Sequence, residues 1–296
     1  MDAQINAFLN ELKLHTLYSA NTQKAYAQDL SRFLNFMRDK FKRPPKSADL
    51  TITAIGDFLN SERKSGFKPS TLYRRRASIR RFAQFLVNRG VIEINLEEEK
   101  PFLKPKERRM VTGREKKIMS LADNEVQRLL SLLLEANNPR ASRDLAILSL
   151  MLETGMSIGN LVLIDLSDLN LRNKLLRVSG LDEQDDWLEI PQASEPIQLY
   201  LVEGRPELTQ SRSEMALFVS QMGGRISRQG VWQVLRKWGR KAKIKKGLSP
   251  RLIRHTAAKH MVEAGKSPEE IQRLLGHRNL FSTLSLVRRL KKTYSL

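Results

Sequence analysis

Ser267-Pro268-Glu269-Glu270-Ile271-Gln272-Arg273-Leu274-Leu275-Gly276-His277 is the best-punctuated stretch of this 296-residue chain. A serine can cap a helix, and proline suits the first helical position, where no N–H is needed. Glutamate three residues after the serine completes a capping box. The spacing therefore predicts a helix over 268–275, stopped by Gly276. Upstream, further helices are expected over 250–264, ending at Gly265, and over 229–243. Before them the texture changes. Short β-type runs stand at Leu161–Leu166, Leu175–Val178, Trp187–Ile190 and Leu217–Val219, with turn or polar residues between. Earlier still come helices at 123–136 and 142–154, the first with Ser120 as its expected cap and Asp123 in its opening turn. Helices, a few short strands, then more helices reads as α+β.

The first hundred residues read as helical throughout. Tyr26, Leu30, Phe33, Leu34 and Met37 recur at helical spacing and form one apolar stripe. A second helix starts near Pro69-Ser70-Thr71, buries Ile79, Phe82 and Leu86, and ends at Asn88-Arg89-Gly90. Its remaining face is expected to display Arg74, Arg75, Arg76, Arg80 and Arg81. A charge run is ordinarily a solvated face, but five arginines beside one apolar stripe exceed what solubility needs, and they point to phosphate contacts. Lys100-Pro101-Phe102-Leu103-Lys104-Pro105-Lys106-Glu107-Arg108-Arg109 is polar, basic and twice broken by proline, as an extended linker would be. The organisation expected is a helical domain over 1–99, a basic linker over 100–117 and a mixed domain over 118–296.

Charge narrows the function. The chain carries 52 Lys and Arg against 32 Asp and Glu, a net of +20. Residues 1–110 contribute +10, 111–180 only +1, 181–224 are acidic at −7, and 225–296 reach +16. Two basic regions apart in sequence suggest two surfaces that grip one polyanion, most simply nucleic acid. The 41% hydrophobic content suffices for packed cores, and no apolar run reaches 18 residues, which argues against a membrane span or membrane partner. The N-terminus lacks the pattern of a signal peptide, so a cytoplasmic protein is expected. Cysteine is absent, removing disulfides and thiolate chemistry. The four histidines are His15, His255, His260 and His277. His255 and His260 are five apart, unlike the i, i+4 metal pair, so no metal is expected. Gly223-Gly224 has no following Gly-Lys-Ser/Thr, and no small-molecule cofactor is expected.

Six segments, in order, resemble the tyrosine recombinases, or phage-type integrases, of the Xer-like kind. Ser19-Ala20-Asn21-Thr22-Gln23-Lys24-Ala25-Tyr26 resembles the start of their core-binding domain, and Pro69 through Phe82 its later DNA-contacting helix. Thr154-Gly155-Met156-Ser157-Ile158 is similar to the segment bearing the first catalytic arginine. Gly223-Gly224-Arg225-Ile226-Ser227-Arg228-Gln229-Gly230-Val231 resembles the entry of a DNA-facing helix. Leu248 through Thr256 is similar to the His-x-x-Arg box, and Ile271 through His277 to the box carrying the second histidine. The resemblance implies an all-α, SAM-like core-binding domain followed by an α+β catalytic-fold domain with a small antiparallel sheet. It also implies chemistry without metal or cofactor. A tyrosine attacks a DNA phosphodiester and leaves a 3′-phosphotyrosyl link while two arginines clamp the phosphate oxygens. A lysine and histidines supply donors and move protons.

Position by position, the carry-over is poor. The first arginine falls on Ser157 and the glutamate three residues later on Asn160. The lysine falls on Leu181, in an acidic turn, the first histidine on Arg251, and the tyrosine on Leu286. Only Arg254 and His277 match. Loss of one oxyanion donor costs ~10²–10³ in rate, and loss of the nucleophile removes the covalent route. The expectation is a catalytically inactive protein that binds double-stranded DNA through Arg74, Arg75, Arg76, Arg80, Arg81, Arg225, Arg228, Lys237, Lys241, Arg251, Arg254 and His277. It would serve as an accessory or regulatory subunit in site-specific recombination or on mobile-element DNA, beside a second copy or an active tyrosine recombinase. Two alternatives stay open. One is an active recombinase using Tyr294, in its own subunit or donated to a neighbouring one; it stands eight residues beyond Leu286, ~12 Å along a helix. The other is a plain DNA-binding module.

Overall fold

Alternation of apolar stripes and caps gives four α-helices among the described residues of the first unit in the computed structural model, which describes residues 1–14, 20–96, 118–179, 185–209, 214–277 and 279–295. These are α1 (Asp2–Leu14), α2 (Ala20–Phe41), α3 (Ile52–Lys64) and α4 (Pro69–Asn88). Leu30, Phe33, Leu34 and Met37 of α2 are buried, as their spacing predicts, against Ile55, Phe58 and Leu59 of α3 and Ile79, Phe82 and Leu86 of α4. Phe33 and Phe58 meet edge to face at 5.3 Å. Thr51 caps α3 by accepting from Ala54 N–H, and Pro69 opens α4. Each such core side chain contributes about 1.5–3 kcal/mol on burial.

The contacts divide the chain into two units, Met1–Lys116 and Lys117–Leu296. The linker expected over 100–117 lies outside the described residues, as does Leu181.

In the second unit α5 (Asp123–Glu135) and α6 (Pro139–Thr154) precede a one-turn helix, α7 (Ile158–Leu161). Three strands follow: β1 (Leu169–Asn170), β2 (Leu175–Ser179) and β3 (Asp185–Glu189), antiparallel in the order β1-β2-β3. Leu176 faces Leu188 in register. α8 (Ser194–Leu199) runs through a π turn (Tyr200–Gly204) into α9 (Arg205–Leu208). Four helices close the unit: α10 (Arg228–Lys241), α11 (Pro250–Glu263), α12 (Pro268–Leu275) and α13 (Leu280–Tyr294). α6 is apolar on nearly every side, with Leu145, Ala146, Ile147, Leu148, Leu150 and Met151 all buried, so it forms the centre of the core. The all-helical first domain and the α+β second domain with a small antiparallel sheet agree with the sequence reading. None of the described helices is long and apolar enough to cross a membrane.

Two runs expected as strands are not. Leu161 ends α7 and Leu166 opens a 3₁₀ turn, while Leu217–Val219 stays outside the sheet. The two regions meet through an isolated bridge, Asp165 to Ala216, and Val219 bridges Arg225. Leu217–Val219 is buried throughout, and in the other run Leu161, Val162 and Ile164 are buried while Leu163 is exposed; a short apolar run cannot distinguish a strand from a largely buried turn. Nor does Ser120 cap α5. That helix begins at Asp123, and the Ala122 N–H donates to the Glu125 carboxylate at 2.8 Å instead.

Candidate nucleic-acid interface

The arginines of α4 do not share one face. At about 100° per residue, Arg74, Arg75 and Arg76 must fan around the helix. Arg75 falls on the buried stripe with Leu72, Ser78, Ile79 and Phe82, and it is 7% exposed. Its guanidinium pairs with Glu62 and stacks 4.1 Å over the Phe67 ring. Arg32 Nε donates to the same Glu62 at 2.9 Å. Burial pushes the Arg75 pKa down, and the neighbouring Arg32 charge adds to this. The expected display of Arg75 is therefore corrected: it belongs to an internal ion network. Arg74 and Arg81 are exposed, Arg76 and Arg80 half-buried. Arg74 reaches Asp29, and Arg80 donates to the Leu96 carbonyl at 2.7 Å.

The basic block of the second unit is similarly mixed. Arg225 donates to the Val162 carbonyl at 2.9 Å and pairs with Asp165, fastening two loops. Lys237 and Lys241 both lie over the Trp238 ring, at 4.9 and 4.8 Å. Trp238 itself is buried and donates to Asp144 Oδ2 at 2.7 Å, so it is core, whereas Trp232 is exposed. Arg228 is the first residue of α10 and, like Arg251 near the start of α11, is exposed.

The turn between α6 and α7 gathers the remaining residues. Gly155 ends α6 with a φ of 63°, in the left-handed region that glycine tolerates. It is tightly surrounded: a Cβ there would fall 2.5 Å from Leu275 Cδ2 and 3.2 Å from Ala257 Cβ. Arg254 NH1 donates to the Gly155 carbonyl at 3.1 Å. Among the described residues no carboxylate pairs with Arg254, and burial alone holds its pKa below the usual guanidinium value. Ser157 caps α7 by accepting from Asn160 N–H at 3.1 Å, and its hydroxyl lies 3.2 Å from Asn160 Oδ1. Asn160 Nδ2 in turn lies 3.8 Å from where a side chain on Gly276 would begin. The neighbouring His277 is half-buried, with Nδ1 2.9 Å from Thr283 Oγ1. Burial first, and the Arg254 charge second, bring the His277 pKa down to about 4. Ser157, Asn160, Arg254 and His277 thus surround one end of α6.

His255 is placed beside this group, its Nδ1 3.2 Å from the Met119 carbonyl. Its pKa is lowered by burial and then by the charges of Arg251, Arg289 and Arg254. Leu286 is half-buried against a small apolar cluster that includes Met261, Leu275 and Leu290. Tyr294 is engaged with backbone. Its hydroxyl accepts from Ser120 N–H at 2.8 Å and donates to the Ile118 carbonyl at 3.3 Å. Among the described residues no group of three or more His, Asp or Glu side chains is placed to hold a metal ion. Sequence reasoning missed the proximity of Arg228 to Gly159: Arg228 NH2 lies 3.1 Å from where a side chain on Gly159 would begin. Nothing local to either segment signals a contact between them.

Comparison with known proteins agrees with this architecture. The model of the phage integrase family matches residues 119–291, and that of the phage integrase N-terminal SAM-like domain matches residues 5–90. The chain is 31% identical to tyrosine recombinase XerC of Roseiflexus castenholzii, over 96% of this chain and 88% of that one. It is 29% identical to tyrosine recombinase XerD of Oceanobacillus iheyensis, over 96% and 92%. Among solved structures it is similar to the XerH site-specific recombinase bound to palindromic difH substrate in a post-cleavage complex. There the TM-score is 0.70 with 16% identity, over 93% of this chain and 79% of that one. A lambda integrase dimer bound to a COC′ core site gives 0.67 with 15% identity, over 97% and 95%. At these identities the structures speak for the fold. By sequence match and architecture together, the chain belongs to the phage integrase family, the tyrosine recombinases.

Proposed function

We propose that this protein binds duplex DNA as a catalytically silent tyrosine recombinase. Its work is accessory or regulatory, in site-specific recombination or on the DNA of mobile elements. The observation that carries the reading is the contrast between Leu286 and Arg254. The residue at the nucleophile's position is a leucine packed in an apolar cluster, while a phosphate-clamping arginine keeps its guanidinium clear of any described carboxylate. Ser157, used as a helix cap, has neither the charge nor the reach of the arginine it replaces. The solved XerH and lambda integrase structures with DNA support duplex DNA as the ligand. The lambda integrase dimer supports a second copy as one protein partner, an active recombinase being the other. Residues 1–99 then serve as a helical core-binding domain and 118–296 as a degenerate catalytic domain, joined by a basic linker over 100–117. The protein works in the cytoplasm, at the nucleoid.

A second reading has Tyr294 as nucleophile. It requires the phenol to leave Ser120 N–H and the Ile118 carbonyl, whether it reacts in its own subunit or in a neighbour. Nicked suicide duplexes carrying the protein's selected binding site distinguish the two. The silent protein traps no covalent adduct; an adduct abolished by Tyr294→Phe establishes the second reading.

A further inference from the structure

Among the described residues the Arg228 side chain makes no hydrogen bond or ion pair, and its guanidinium lies against Gly159. NH2 and Cζ lie 3.1 and 3.5 Å from the point where a side chain on Gly159 would begin, and Ser157 Oγ lies 3.4 Å from the same point. A glycine at 159 leaves the room that Arg228 uses; any larger residue would press on the guanidinium tip. The turn from Gly155 to Gly159 therefore has one guanidinium at each end, Arg254 from α11 and Arg228 from α10, with the small Ser157 between. No described carboxylate neutralises either, an arrangement that favours a bound anion.

We propose that Arg228 supplies, from another helix, the guanidinium missing at position 157, and that Arg228 and Arg254 hold the same DNA backbone phosphate above Ser157. This rests on the reading of the protein as a duplex-DNA binder.

The test is a double-mutant cycle on the full chain, with fluorescence anisotropy on a mixed-sequence duplex. Arg228→Ala should weaken binding by about ten- to hundred-fold and flatten the salt slope by about one unit. Ser157→Arg should restore most of that loss in the Arg228→Ala background and add much less to the wild-type protein, because the phosphate already has both guanidiniums. Gly159→Gln provides an independent arm that leaves position 157 intact: it should weaken the wild-type protein but leave Arg228→Ala no weaker. Thermal melting confirms that each variant is folded. Additive effects, or an Arg228→Ala protein that binds as tightly as wild type, overturn the proposal while the DNA-binding reading stands. A wild-type protein that does not bind the duplex overturns both.

Discussion

Tyr294, at the end of α13, is tied to the strand-like entry of the second unit through Ser120: the phenol oxygen accepts the Ser120 amide proton at 2.8 Å. Its own proton goes to the Ile118 carbonyl. A phenol so placed joins the C-terminal helix to the start of the domain. Tyr294→Phe should lower stability by about 0.5–1.5 kcal/mol, the worth of a typical hydrogen bond, and leave DNA affinity unchanged. Chemical denaturation and anisotropy on one preparation measure both.

Arg254→Ala separates a binding role from a structural one. With no carboxylate partner among the described residues, its removal should weaken DNA affinity by roughly 1–3 kcal/mol with little change in melting temperature. A fallen melting temperature with unchanged affinity of the folded fraction would make it structural.

His277 gives the interface a pH signature. Its folded pKa of about 4 is below the ordinary histidine value of 6.5, so the folded state favours the neutral ring. The stability this contributes is complete above pH 6.5 and is lost as pH falls toward 4. Because the ring is only half-buried, solvent screening limits the effect to on the order of 1–2 kcal/mol. NMR titration of the free protein should find the His277 midpoint near 4. A DNA phosphate bound nearby should raise it.

Arg75 and Arg81, six residues apart on α4, should fail in different assays. Arg75→Ala strands Glu62 inside the helical unit, at a cost of about 3 kcal/mol that Arg32 partly offsets. Arg81→Ala, at an exposed position, should weaken DNA binding and spare the melting temperature.

Salt dependence tests whether both basic blocks engage the ligand. If 6–10 phosphates are contacted, affinity should drop by ~10³–10⁵ between 50 and 200 mM salt. Residues 118–296 expressed alone should bind far more weakly than the full chain, since tethering raises effective concentration. Full affinity in that fragment would exclude a contribution from the first domain.

What the sequence revealed depended on whether a signal was local. Helix α12 follows from Ser267, Pro268, Glu270 and Gly276 because caps act within a single turn. The stripe from Leu30 to Met37 follows from periodicity alone. Leu161–Leu166 misled because so short an apolar run is too brief to tell a strand from the turn it forms, with Leu161, Val162 and Ile164 buried and Leu163 exposed. Arg75 misled for the opposite reason: its helical phase was legible, but the acidic partners that draw it inward stand on α2 and α3. Arg228 beside Gly159 was out of reach, because only the packing of α10 against α7 brings them together.

The crowding at Gly155 bears on how variants of this protein should be interpreted. With Leu275 and Ala257 packed where its Cβ would be and a φ in the left-handed region, a larger residue at 155 would strain the turn and press on α11 and α12. Those two helices carry Arg254 and lead into His277. A Gly155 variant would therefore misplace both at once without ever touching a nucleotide. On the DNA-binding reading, a genetic screen scored only by loss of binding would place position 155 among the strongest hits, as though it lay on the recognition surface, when its part would be to keep Arg254 and His277 in alignment.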